Sequence, residues 1–305
     1  MKLAMVFPGQ GSQAVGMLKG YAGLPDVEST INEAGSVLGQ EFVQLLEEGP
    51  AEKLNLTVNT QPAMVTAGIT AFRAWRALGG PMPEVVAGHS LGEYSALVAA
   101  GALDFKDCLP LVRFRAQSMQ EAVPEGQGAM AAILMLDDDL VRAACTEAGG
   151  TVQAVNFNAP GQVVIAGEKA AVERAMEACR TKGAKRAMLL PVSAPFHSTL
   201  MKPAAERLGS YLSKVQLQTP KISLINNVDV AAETNPEKIK QALVRQAASP
   251  VRWVETIKKM LDSGVTHIVE CGPGKVLAGM TRRIAPNVKS FAAADRASLE
   301  EALKC

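Results

Sequence analysis

Residues 85–101 read Val-Val-Ala-Gly-His-Ser-Leu-Gly-Glu-Tyr-Ser-Ala-Leu-Val-Ala-Ala-Gly. An apolar run of strand type passes, within the pentapeptide Gly88-His89-Ser90-Leu91-Gly92, into an alanine- and leucine-rich run of helix type. G-x-S-x-G in that setting is a sharp strand-to-helix turn. It lifts one serine out of the fold, and its small glycines let the backbone fold tightly beneath it. Ser90 is therefore a candidate acyl-transfer nucleophile. The rival reading, a glycine-rich turn with an incidental serine, has to explain why strand, turn and helix signals coincide here.

Outward from this turn the chain alternates strands and helices. Residues 2–7 read as a strand that runs into the turn Pro8-Gly9-Gln10-Gly11-Ser12. A weak helix follows, a further segment opens at 51–54, and residues 61–78 carry a long helical pattern closed by Gly79-Gly80-Pro81. Residues 84–88 are the strand before Ser90, and the helix after it stops at Gly101. Asp104 caps another helix, which Pro124 ends. The character then changes. Strand patterns at 128–136, 151–156, 162–166 and 187–192 enclose helices at 137–148 and 169–182. This β-α-β-β-α-β order is that of a ferredoxin-like unit, and it stands between two longer α/β blocks as an insertion. After residue 195 come a strand at 222–227 and a helix capped by Asn235 with Pro236 at its first position. A helix at 253–262, a strand at 266–271 and a helix at 276–284 complete the pattern. The expected fold class is α/β, with a largely parallel sheet covered on both faces. The main domain is expected from residues 1–125 and 195–305, and the ferredoxin-like subdomain from residues 126–194.

Bulk properties narrow the function. The chain has 305 residues, 48% hydrophobic and 20% charged, with a net charge of +1. That is an ordinary soluble composition with a substantial core, and nothing in it argues for nucleic acid or an anionic membrane. Only 4% of residues are aromatic, too few for base-stacking platforms. The five cysteines, Cys108, Cys145, Cys179, Cys271 and Cys305, include no C-x-x-C. They fit reduced thiols in a cytoplasmic protein and offer no metal site. The N-terminal apolar run is too short for a signal peptide, and no later stretch approaches the ~20 residues of a membrane helix.

A serine nucleophile needs a base, and the chain has three histidines. His89 adjoins Ser90, and neighbours on a tight elbow point to different sides. His267 opens the apolar strand pattern Thr-His-Ile-Val-Glu, where a structural histidine is expected. His197 lies in the loop Ser193-Ala194-Pro195-Phe196-His197-Ser198 at the junction of the two units, where catalytic groups commonly sit. It is the candidate base. No acid completes a triad. Asp104 and Asp107 are explained by capping, and Asp137, Asp138 and Asp139 by the helix they open. A Ser-His dyad is expected, with another group, such as a free carbonyl in the last turn of a helix, holding the second imidazole nitrogen.

Several motifs occur in a fixed order. They are Phe7-Pro8-Gly9-Gln10-Gly11-Ser12-Gln13, Thr60-Gln61-Pro62-Ala63, Gly88-His89-Ser90-Leu91-Gly92-Glu93 and Asn156-Phe157-Asn158-Ala159-Pro160-Gly161-Gln162, then Phe196-His197-Ser198, Asn226-Asn227-Val228-Asp229 and Gly272-Pro273-Gly274. Together they resemble the acyltransferase family of fatty acid and polyketide synthesis, and within it the malonyl-CoA:acyl carrier protein transacylases. The resemblance runs from residue 2 to about residue 284.

The resemblance implies an α/β-hydrolase-like large domain and a malonyl transfer from malonyl-CoA to the phosphopantetheine thiol of acyl carrier protein. It casts Ser90 as nucleophile and His197 as base. Gln10 and Leu91 become the backbone donors of an oxyanion hole, and Gln246 the residue whose carbonyl orients the histidine. Arg115 becomes the holder of the malonyl carboxylate. Periodicity alone does not choose between Arg113 and Arg115, because both flank the stripe Leu109, Val112, Ala116, Met119 and Val123. Asn158, His89 and Gln61 are possible site-lining residues. Phe196, before the histidine, accompanies malonyl preference in related polyketide domains.

No cofactor or metal is expected, since CoA and phosphopantetheine act only as substrate carriers. A monomer is expected. An acidic carrier protein calls for a local basic face, for which Lys182, Lys185, Arg186, Arg282 and Arg283 are candidates. Gly9-Gln10-Gly11-Ser12 is not a phosphate loop, because no Gly-Lys-Ser/Thr follows. Two other classes remain in view: a serine hydrolase that passes the acyl group to water, and a catalytically idle carrier- or CoA-binding module.

Overall fold

The protein is described by a computed structural model covering residues 1–192 and 194–304. Ser193 and Cys305, named above in a loop and as a thiol, lie outside the described residues.

Strand β1 (Leu3–Phe7) is buried at every position, as a central parallel strand must be when both faces are covered. Its residues alternate between two cores. Leu3, Met5 and Phe7 join one hydrophobic cluster, and Ala4 and Val6 the other, which is the period of two expected of a strand. Four helices follow: α1 (Val27–Leu38), α2 (Gln40–Glu48), α3 (Ala51–Leu54) and α4 (Thr57–Ala77). The segment expected to hold one weak helix therefore holds two, split at Gly39, whose φ of +90° an L side chain rarely adopts. Strand β2 (Val85–Gly88), α5 (Gly92–Ala99) and α6 (Phe105–Glu121) come next. The Asp104 side chain accepts from the Lys106 N–H as the expected cap.

The inserted unit comprises β3 (Gly128–Leu134), α7 (Asp138–Ala148), β4 (Val152–Ala159), β5 (Gln162–Glu168), α8 (Lys169–Thr181) and β6 (Arg186–Leu189). Its sheet runs β4-β5-β3-β6, antiparallel throughout. One face, with Ile133, Val163 and Ile165, packs on α7 and α8 through Val141, Val172 and Met176. The other, with Met130 and Val164, packs on Met119, Phe196 and Met201 of the larger unit. The two units are also joined backbone to backbone. Phe157 N–H donates to the Val251 carbonyl at 3.0 Å, and Val251 N–H to the Val155 carbonyl at 2.8 Å.

The return segment holds α9 (Lys202–Leu212), β7 (Ser223–Leu224), α10 (Pro236–Ala247), α11 (Trp253–Asp262), β8 (His267–Cys271), α12 (Val276–Ile284), β9 (Lys289–Ala293) and α13 (Arg296–Leu303). The main sheet is parallel, in the order β7-β2-β1-β8-β9. The strand expected at 222–227 shortens to two residues, because after Ile225 pairs with Val86 the chain turns back toward the elbow. Strand β9 and α13 were not anticipated. An edge strand reading Lys-Ser-Phe-Ala-Ala carries little apolar pattern. Among the described residues no helix is long and apolar enough to cross a membrane. Cys108, Cys145, Cys179 and Cys271 are free and buried.

Candidate active site

Ser90 sits where β2 ends, with φ of +52°, the strained left-handed turn a nucleophile elbow requires. The flanking glycines are dictated by space. A Cβ at Gly88 would lie 1.8 Å from the Gly92 carbonyl carbon, and one at Gly92 would lie 2.0 Å from the Phe7 carbonyl oxygen. Asn227, fully buried beyond β7, clamps the turn. Its Oδ1 accepts from the Ser90 N–H at 2.7 Å, and its Nδ2 donates to the Gly88 carbonyl at 2.7 Å. Its own N–H donates to Glu93 Oε2 at 2.9 Å.

His197 Nε2 lies 2.6 Å from Ser90 Oγ, and His197 Nδ1 lies 2.9 Å from the Gln246 carbonyl oxygen. Because a carbonyl only accepts, Nδ1 carries the proton. Nε2 is then bare and can take the hydroxyl proton of Ser90. Burial, reinforced by the Arg115 charge, holds the imidazole pKa down to about 3, so the ring is a neutral base near neutral pH. The second imidazole nitrogen therefore rests on a carbonyl in the last turn of α10. Gln246, which could have been a surface residue at a helix end, is 0% exposed.

Arg115 is 1% exposed, whereas Arg113 is half-buried over the Phe42 ring. Arg115 Nη1 donates to Gln61 Oε1 at 2.9 Å. Its Nη2 donates to Gln246 Oε1 at 3.1 Å and to Ser90 Oγ at 3.3 Å. No carboxylate hydrogen-bonds to it among the described residues, and its Nε–H has no partner. A buried guanidinium with spare donors is costly, and an incoming carboxylate would satisfy it bidentately. Burial lowers the Arg115 pKa, while Tyr94 and Glu93 oppose the shift.

Gln10, in the turn after β1, lines the cavity with Ser90, and Leu91 caps the start of α5. The N–H of Leu91, at a helix N-terminus, suits a developing negative charge. The Gln10 side chain is tied to Gln61 at 3.1 Å and to Thr57 at 3.4 Å. His89 lines the same cavity as Ser90, as expected, but its Nε2 is taken by Asn158 Oδ1 at 2.7 Å and its ring sits edge-on to Trp253. Burial lowers its pKa. His267 pairs with Leu3 at the opposite end of the sheet, well removed from the C-terminal strand ends where Ser90 lies. A cavity of about 130 Å³ brings Gln10, Gln61, Ser90, Arg115 and His197 together, with Met119 and Phe196 as apolar wall.

Of the five basic candidates, Lys185, Arg186, Arg282 and Arg283 are exposed and Lys182 is half-buried. Lys182 pairs with Glu147 at 2.7 Å. Arg282 reaches the Ser290 carbonyl, and Arg283 reaches Gln162 Oε1 and the Pro160 carbonyl. Two residues of the site stand in the quoted motifs without a role read from the sequence, Glu93 and Asn227. The available signal was a carboxylate inside the apolar run 92–99, and an amide at the end of a strand pattern.

The acyl transferase domain matches residues 4–298. The malonyl CoA-acyl carrier protein transacylase of Escherichia coli strain K12 is 52% identical over 99% of both chains. The crystal structure of the acyl-carrier-protein S-malonyltransferase from Burkholderia pseudomallei 1710b is 61% identical, covers 100% of both chains and superposes with a TM-score of 0.98. A type II polyketide acyl carrier protein in complex with its malonyl-transacylase supplies a further match. That transacylase is 51% identical over 100% of this chain and 99% of its own, with a TM-score of 0.97.

Proposed function

The chain belongs to the acyl transferase domain family, and on that premise we propose how its residues carry malonyl from malonyl-CoA to acyl carrier protein for fatty acid synthesis. His197 Nε2 takes the Ser90 proton as Ser90 Oγ attacks the thioester carbonyl. The oxyanion is held by the backbone N–H groups of Gln10 and Leu91, each such donor being worth about 2.7–4 kcal/mol in a transition state. The C–S bond breaks, His197 returns the proton to the CoA sulfur, and malonyl-Ser90 remains. The phosphopantetheine thiol then gives its proton to His197 and attacks the ester. Ser90 leaves and recovers the proton, so the kinetics are ping-pong. Arg115 holds the free malonyl carboxylate throughout, with Gln61 fixing its guanidinium. Asn158 and His89 brace the wall of the site.

The observation that carries this reading is the placement of Arg115. A buried guanidinium, with no carboxylate bonded to it among the described residues and an unpartnered Nε–H, lies 3.3 Å from the hydroxyl that His197 activates. The test is intact-mass spectrometry after incubation with malonyl-CoA. A gain of roughly 86 Da that resists water and is discharged by a carrier thiol supports transfer. Rapid discharge by water would make the protein a hydrolase, and absence of any gain an idle binding module.

The small unit, 126–194, is ferredoxin-like in our reading, and 1–125 with 195–305 is an α/β-hydrolase-like domain. The sheet order β4-β5-β3-β6 and the two helices on one face support the former. The protein is a cytoplasmic monomer that works without cofactor or metal, and the exposed Lys185 and Arg186 form part of the face that receives the acidic carrier.

A further inference from the structure

We propose that Glu93 is a positioning residue for acyl transfer, whose carboxylate fixes the Gln246 side-chain amide and through it both Arg115 and the carbonyl that orients His197. The proposal rests on the roles given above to Ser90, His197 and Arg115.

Glu93, in the first turn of α5, is 1% exposed, and the reaction itself makes no use of it. Burying a carboxylate is costly, and burial pushes this one up to about 7. Its position is nonetheless specific. Oε2 accepts from Gln246 Nε2 at 3.0 Å and from the Asn227 N–H at 2.9 Å. The Gln246 amide has two ends of nearly equal shape and opposite polarity. As placed, Nε2 donates to Glu93 and to the Ser90 carbonyl at 2.9 Å, and Oε1 accepts from Arg115 at 3.1 Å. Turned over, the amide would present N–H to the donors of Arg115 and oxygen to two acceptors. An ionised carboxylate, which cannot donate, makes that second state expensive. The same residue's backbone carbonyl meets His197 Nδ1, so fixing the side chain also steadies the last turn of α10. Arg115 from α6, Asp229 from the loop after β7 and the adjoining Tyr94 are the titratable and charged groups that face Glu93.

The experiment compares wild type, Glu93→Gln and Glu93→Ala. Initial rates of Ser90 malonylation and acetylation from the two CoA thioesters are read by rapid quench and intact mass. Each is normalised to Ser90 sites titrated with a fluorophosphonate. Glu93→Gln keeps the shape but permits the reversed amide, and it should lower the malonyl-over-acetyl rate ratio by about 10-fold, with an unchanged melting temperature. Glu93→Ala should lower the ratio at least as far and slow both acylations. The wild-type ratio should fall as pH drops from 8 to 6 and Glu93 takes up a proton, while Glu93→Gln stays flat. A Glu93 that serves the fold alone would change melting temperature and titratable fraction, yet leave per-site rates, ratio and pH profile as in wild type. That result overturns the proposal. If Glu93→Ala does not fold, Glu93→Gln decides. Wild type that forms no malonyl adduct, or Ser90→Ala that still forms one, would instead remove the reading of Ser90 on which the proposal stands.

Discussion

Replacing Arg115 by alanine should separate malonyl from acetyl transfer. Of five guanidinium N–H groups, three donate to Gln61, Gln246 and Ser90, and the Nε–H has no partner among the described residues. A malonyl carboxylate entering the cavity therefore finds free donors on a buried cation. Removing one partner of such a pair costs about 3–5 kcal/mol, because the other is left buried and uncompensated. At 1.36 kcal/mol per tenfold, malonylation of Ser90 should slow by roughly two to three and a half powers of ten. Acetyl has no carboxylate and loses only what the 3.3 Å contact to Ser90 Oγ contributes, roughly tenfold or less for a single hydrogen bond. The assay is rapid-quench mass spectrometry of the Ser90 adduct with each thioester at matched, sub-saturating concentration. Equal slowing of the two would refute the assignment, because the role of Arg115 would then lie in the elbow and not in the substrate. Arg115→Lys should fall between, since a point charge does not reproduce the two-pronged fork.

Further outcomes can be measured separately. Burial holds the His197 imidazole down to about 3, against the ordinary 6.5, so between those values the unfolded chain binds more protons and stability falls as pH drops. His197→Gln should remove about 2 kcal/mol of that loss between pH 7 and 5 in urea unfolding. Identical pH dependence in the two proteins would refute it, since Glu93 and Glu270, both raised to about 7, titrate with the opposite sign in each. Gly92→Ala places a Cβ against the Phe7 carbonyl and should cost more than about 4 kcal/mol. A melting temperature within a few degrees of wild type would show that the elbow tolerates it. Reversing Lys185 and Arg186 to glutamate should raise the apparent KM for carrier protein and leave the CoA half-reaction unchanged. A parallel change in both half-reactions would deny that face a docking role.

Much of this arrangement was legible because local signals agreed. The elbow at Ser90 is announced by glycines that nothing larger could replace, and the helix ending in Gln246 by an Asn-Pro start. His197 followed from counting histidines, and the missing acid from finding the five aspartates between Ser90 and His197 otherwise employed. Other features depend on tertiary packing. Arg113 and Arg115 flank the same stripe, and only the neighbouring helices decide which is half-buried over Phe42 and which enters the cavity. Asn227 reaches the elbow from across the fold and meets Glu93 134 positions away along the chain, a separation no local pattern spans. Strand β9 is stabilised by its pairing with β8 more than by its own residues.

The backbone clasp between Val251 and β4 bears on how the site is reached. The small unit closes one side of the cavity, and it could swing aside only by breaking the two hydrogen bonds at Val251 and prising Met130 and Val164 from Phe196. The mouth is thus framed by elements of both units tied to each other. Admission becomes a matter of reach. Both carriers must offer the acyl group on a long, thin arm, because their own bulk stays outside. Amide hydrogens of Phe157 and Val251 should accordingly exchange with solvent only as slowly as the whole fold unravels, at the same pace in the resting and the acylated protein.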